Sequence, residues 1–220
     1  MNAVRLHLVS KPVNTSTRDA QTAHTESRVL AAATDLFVAN GYLATTLADV
    51  AERAGVGART VYVRFGTKAA LFARVVDVAV AGDTAPVALF DRPASQGPFS
   101  GPDPMARLVE FCRITAQIMR RTGDLFAVAQ EAAMIDPVLQ ENWQAGREGT
   151  RHNHDLFWRA LAADGLLADD IDLGWLIDTA TIVGGAETYL LARNLKRWSI
   201  PAYERWLVTT CARLAGLDRP

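Results

Sequence analysis

Twenty residues, Thr46 to Phe65, leave this chain few ways to fold. Leu47, Val50 and Ala51 recur at helical spacing, and Val56, Val61 and Phe65 answer them across a glycine-marked turn. Thr46 followed three residues later by Asp49 is a near capping box, so a helix starts there and runs to about Arg53. Ala54-Gly55-Val56-Gly57 breaks it. A second short helix spans Ala58 to Arg64 and stops at Gly66. A tight turn at Gly55 lets two such helices cross steeply, which leaves the outer face of 58–64 outside the core.

The flanking segments supply the rest of a small helical head. From Thr25, the residues Val29, Leu30, Ala33, Leu36 and Phe37 recur at threes and fours, predicting an amphipathic helix. Asn40-Gly41 ends it, with glycine as the left-handed cap. Thr67 caps a further helix through Leu71, Phe72, Val75, Val76 and Ala79. Residues 1–22 are polar and threonine-rich, without apolar periodicity, and read as a mobile arm. Residues 23–82 form the head. The stretch 83–104, with Pro86, Pro93, Pro98, Pro102 and Pro104, reads as a Pro/Gly-rich loop and the domain boundary. Helical period then returns near 105–121, 124–134, 137–163, 171–195 and 201–215. No segment alternates with period two for long, so the fold class is all-α, with a second domain over 105–220.

The exposed face of 58–64 offers Arg59, Thr60, Tyr62 and Arg64, donors of the kinds that reach base edges and phosphates in a major groove. Lys68 follows at a helix N-terminus, whose amides also favour a phosphate. Charge agrees with this. Residues 1–82 hold nine Lys/Arg against six Asp/Glu, while the remainder holds fourteen against eighteen. A positive end on an acidic body suits a protein that touches a polyanion with one end only. Arg5, Lys11 and Arg18 of the arm either lie in a minor groove or are merely solvated.

The run Arg28-Val29-Leu30-Ala31-Ala32-Ala33, Leu36-Phe37, Gly41-Tyr42, Thr45-Thr46, Val50-Ala51, Ala54-Gly55-Val56, Thr60-Val61-Tyr62, Phe65, Lys68, Leu71-Phe72 resembles the TetR/AcrR family of transcriptional repressors. The resemblance implies phosphate contacts from Thr46, Tyr62 and Lys68, and groove contacts from Arg59 and Thr60. It implies that Arg64 replaces a frequent histidine as another phosphate contact. Gly57 stands where the family often has serine, so one hydroxyl contact is missing and the cap is weaker. Ala58 stands where a longer polar side chain is common, which throws base readout onto Arg59. The family also implies a homodimer through the last two helices, and two-fold symmetry demands a palindromic operator.

In the second domain, helices 105–121 and 137–163 carry more bulky apolar groups than one stripe needs: Phe111, Ile114, Ile118, Met119, then Trp143, Phe157, Trp158 and Leu161. A pocket for a small apolar effector is expected there. His154 falls on the side of Trp143, Phe157 and Leu161, and is either a ligand contact or a core histidine bonded to a backbone carbonyl. Glu187 shares a face with Leu176, Val183 and Leu190 if 171–195 is one helix; its partner is then a ligand or an arginine across the dimer. Met119 and Met134 suit either a pliable pocket or plain packing. The last two predicted helices carry apolar groups on more than one side, as helices between a pocket and a second subunit should.

No Gly-rich phosphate loop, Gly-x-Ser-x-Gly elbow or metal-binding helix motif occurs, so neither an enzyme nor a cofactor is expected. His152 and His154 point to opposite sides of a helix, which is poor for chelation. Cys112 and Cys211 read as buried reduced thiols. Neither a signal peptide nor a membrane span is expected, which makes the cytoplasm the default compartment. Alternatives to a sequence-specific regulator are an architectural DNA-binding protein, which wants a more basic body, and an enzyme using the second-domain pocket.

Overall fold

A computed structural model describes residues 17–85 and 95–217, which are helical apart from turns and one short 3-10 segment, Gly97–Phe99. Four helices make the head: α1 (Thr17–Ala44), α2 (Leu47–Ala54), α3 (Ala58–Phe65) and α4 (Lys68–Ala81). The body comprises α5 (Pro104–Ala132), α6 (Pro137–Ala163), α7 (Leu173–Gly184), α8 (Ala186–Lys196) and α9 (Ile200–Leu214). No helix among the described residues is long and apolar enough to cross a membrane.

Several expected boundaries move. Residues 17–22, assigned to the arm, are the first turns of α1; residues 20–24 are exposed, so no apolar stripe marks them. Extending a formed helix is cheaper than nucleating one. The expected arm residues 1–16, Arg5 and Lys11 among them, lie outside the described residues, as does 86–94 of the loop. Gly41 kinks α1 at φ 77°, and helical turns resume to Ala44. The predicted helices 105–121 and 124–134 are one helix, and the predicted helix 171–195 is two, parted at Gly184-Gly185. The loop is also less independent than its prolines suggest. Pro98 is buried, and its carbonyl accepts a 2.8 Å bond from Arg107 Nε.

Two cores hold the fold. The first gathers Val29, Ala33, Phe37, Val50, Val61, Leu71 and Phe72 of the head with Leu125, Val128, Ala129 and Ala132 of α5 and Leu139 of α6. The end of α5 is therefore part of the head's own core. Polar ties reinforce this junction. Arg121 of α5 donates to the Ala79 and Val80 carbonyls at 2.9 and 2.8 Å, satisfying the end of α4. Tyr42 donates a 2.7 Å bond to Asp136, which also caps α6. The second core packs α5, α6, α7 and α9 around Leu108, Phe157, Trp158, Leu161, Leu176 and Tyr203. Cys112 and Cys211, distant in sequence, meet there as buried free thiols; their mutual hydrogen bond, then burial, pushes the Cys112 thiol up.

Candidate nucleic-acid interface and cavity

The turn between α2 and α3 is fixed at both ends. Thr46 Oγ1 accepts from Asp49 N–H at 3.1 Å, and the Asp49 carboxylate accepts from Thr46 N–H at 3.0 Å. The box is complete, and the Thr46 hydrogen bonds hold Asp49 below the usual carboxylate range. Gly55 adopts the left-handed conformation at φ 64° and ends α2. Arg28 of α1 reaches across and donates to the Ala54 carbonyl and, at 3.2 Å, to the Gly55 carbonyl. A side chain at Gly55 would begin 2.7 Å from that guanidinium. The left-handed backbone at Gly55 is what requires glycine.

With the turn pinned, Val61 is buried while Arg59, Thr60, Tyr62 and Arg64 stand exposed along α3. Gly57 gives α3 no side-chain cap, as expected. The face has members that sequence reasoning missed. Val63 is 75% exposed, and Gln21, Thr22 and Thr25 of α1 share a shallow groove with Arg59, Thr60, Val63 and Arg64. Val63 lies one helical turn beyond Arg59, a spacing that could have flagged it; the α1 residues carried no signal. Two expected cations are already engaged. Arg64 forms an ion pair with Glu26 of α1. Lys68 donates to the Tyr42 and Leu43 carbonyls at 2.8 and 3.3 Å and lies 4.3 Å from the Tyr42 ring centroid. Two of its three donors therefore hold the end of α1 against the start of α4.

Between α4, α5, α6 and the α7–α8 junction lies a cavity of about 770 Å³. Of the residues expected to form a pocket, Phe111, Ile118, Met119, Trp143, His154 and Glu187 line it. Phe157 and Trp158 do not; both are fully buried in the second core, where Phe157 stacks on Phe111 at 4.3 Å. Phe157 thereby backs the lining ring of Phe111. Met134, 84% exposed, does not line it. Residues not anticipated include Arg74, Asp77 and Val80 of α4, Phe126 of α5, Arg147 of α6 and Thr181, Ile182 and Thr188 at the helix break.

His154 is 3% exposed, and its Nδ1 has no hydrogen-bond partner, so the expected backbone carbonyl is absent. Burial alone lowers its pKa to about 4, which makes it neutral. Its Nε2 lies where a side chain on Gly184 would start, 2.7 Å away. Glu187 corrects another expectation. The break at Gly184-Gly185 separates it from Leu176 and Val183, and its carboxylate accepts a 2.6 Å bond from Arg147 of the same chain. That guanidinium also lies 5.9 Å from the Trp143 ring, which meets Phe126 edge-on at 6.0 Å. The cavity is thus aromatic and aliphatic inside, with charged pairs at its rim and one neutral imidazole in its wall. Among the described residues no group of three or more His, Cys, Asp or Glu side chains is placed to hold a metal ion.

Residues 29–75, which span α2, α3 and most of α1 and α4, match the family model described as bacterial regulatory proteins, tetR family. No curated protein matches the chain. Solved structures do. A TetR-family transcriptional regulator from Mesorhizobium loti is similar at TM-score 0.65 and 17% identity, over 90% of this chain and 98% of that one. NalD, the secondary repressor of the MexAB-OprM multidrug efflux pump in Pseudomonas aeruginosa, is similar at TM-score 0.63 and 18% identity, over 86% and 95%. SmeT in complex with triclosan is similar at TM-score 0.67 and 17% identity, over 86% and 90%.

Proposed function

We infer that this chain, whose N-terminal segment is of the tetR family and whose fold is that of TetR-family regulators, represses transcription from a palindromic operator and is released by a small, largely apolar molecule. The observation that carries the reading is the pinned α2–α3 turn, which leaves α3 standing out with Arg59, Thr60, Tyr62 and Val63 unburied. Such a helix enters a major groove, where Arg59 reads base edges and Thr46, Tyr62 and Lys68 meet phosphates.

The homodimer of this reading forms through α7–α8 and α9. Trp175, Ile182, Leu191 and Leu195 are 54–73% exposed on α7 and α8, and Trp206 is half-buried on α9. A patch of that kind on a soluble helix pair marks an interaction surface. The effector occupies the 770 Å³ cavity, whose size and lining suit a drug-sized molecule. SmeT, similar in fold, is in complex with triclosan, which is in keeping with a small-molecule occupant here. Because α4 lines the cavity and joins the head, an occupant that prefers one placement of α4 shifts the spacing of the two α3 helices.

Selection of duplexes from a random pool, followed by mobility shift, tests this. The selected sequences should be palindromic, and Arg59→Ala should cost about 1–3 kcal/mol and relax preference at one position of each half-site. Recovery of no preferred sequence at moderate salt refutes the reading.

A further inference from the structure

Glu26 places a single carboxylate between two arginines that belong to different parts of the molecule. Its Oε2 accepts from Arg64 of α3, and its Oε1 lies 3.4 Å from both Nε and Nη2 of Arg74 on α4. The Glu26 side chain is only 14% exposed, so water shares little of that charge. Arg64 belongs to the groove-facing row of α3, and Arg74 belongs to the wall of the cavity. Arg74 has further ties there, a 3.0 Å bond to the Thr84 carbonyl and electrostatic attraction to Asp77.

We propose that Glu26 is the coupling residue between cavity and DNA: it divides its charge between Arg74 and Arg64, so an acceptor-bearing ligand that draws Arg74 away leaves the carboxylate wholly on Arg64. The Arg64 guanidinium is then neutralised in place and lost to the phosphate backbone. Affinity for DNA falls, which is the sign that release by an effector requires. This rests on the reading of α3 as the groove helix and of the cavity as the effector site. It adds that the occupant carries a carboxylate or carbonyl oxygen toward the α4 end, beside Arg74.

Arg74→Gln imitates the occupied state without a ligand. The probe is a duplex selected by the wild-type protein, with affinity followed from about 50 to 200 mM salt. Arg74→Gln is expected to weaken binding several-fold and flatten the salt dependence. Glu26→Gln is expected to tighten it and to steepen the log–log slope by about 0.9 per α3 helix, one phosphate contact each. In the Glu26→Gln background, Arg74→Gln should then change nothing. An equal loss in both backgrounds overturns the coupling. If melting shows Glu26→Gln to be misfolded, the exposed-site variant Arg64→Gln serves instead: Arg74→Gln must be silent there, and a loss equal to that in the wild type overturns the proposal. A selected duplex bound alike by every variant refutes the coupling alone, whereas failure to select any duplex removes the underlying DNA reading together with it.

Discussion

His154 makes the stability of this protein depend on pH in a way that can be isolated. In the folded chain its pKa is about 4, against 6.5 for an exposed imidazole, and burial is the whole cause. The unfolded state therefore takes up the proton first as pH falls. Stability contributed by the neutral ring is complete above pH 6.5 and is lost between there and about pH 4. A shift of this size corresponds to about 3 kcal/mol in total, of which about 2 kcal/mol is gone by pH 5. Carboxylates also titrate in this window, so the comparison is with His154→Leu, which keeps their contributions. At pH 7 the variant should be at least about as stable as wild type, because it removes an Nδ1 that has no partner. Denaturant unfolding followed by tryptophan fluorescence, at fixed protein concentration, gives the stability difference at each pH. The difference should swing toward the variant by about 2 kcal/mol from pH 7 to pH 5. A difference that stays constant across the range would mean that the ring is hydrated or already bonded, and the argument from burial would be wrong.

Two further perturbations test the head and the interface. Gly55→Ala forces a methyl into a left-handed residue 2.7 Å from Arg28 and should lower stability by about 1–3 kcal/mol, read as a melting point several degrees lower; an unchanged melting point would show that the turn relaxes freely. Ile182→Asp with Leu191→Asp, both largely exposed, should give monomers by sedimentation with helicity intact and DNA affinity sharply reduced; a persistent dimer would place the interface elsewhere.

What could be read from the sequence was local. The Thr46–Asp49 box, the Gly55 turn and the Thr67 cap each involve residues within four positions, and each is where spacing put it. The core side of α2 and α3 followed from periodicity for the same reason. The engaged state of the cations did not. Arg64 is 38 residues from Glu26, and Glu187 is 40 residues from Arg147, so no window on the sequence connects them. Arg147 gives Glu187 a partner within its own chain that no sequence spacing announces. Reading 171–195 as one helix puts Glu187 on a face with Leu176 and Val183, which the break at Gly184-Gly185 undoes.

The two misplaced helix boundaries share a cause. Arg120-Arg121-Thr122-Gly123-Asp124 has the marks of a helix end, basic residues and then glycine, yet α5 runs through it. A side chain at Gly123 would begin 2.8 Å from the Tyr189 ring and 3.1 Å from Arg193, so glycine there lets α8 lie close against α5. A side chain at Gly184 would likewise begin 2.7 Å from His154, but beside it Gly185 adopts extended backbone and the helix does break. Glycine for close approach and glycine for termination look the same in a sequence; only the partner across the gap tells them apart. Here that partner is the imidazole in the cavity wall. The break places Glu187 and Thr188, in the first turn of α8, at the rim, and Thr188 Oγ1 donates 2.6 Å back to the Ile182 carbonyl. Gly184 therefore lets the end of α7 lie close to the imidazole, and the break beside it brings the first turn of α8 to the cavity rim.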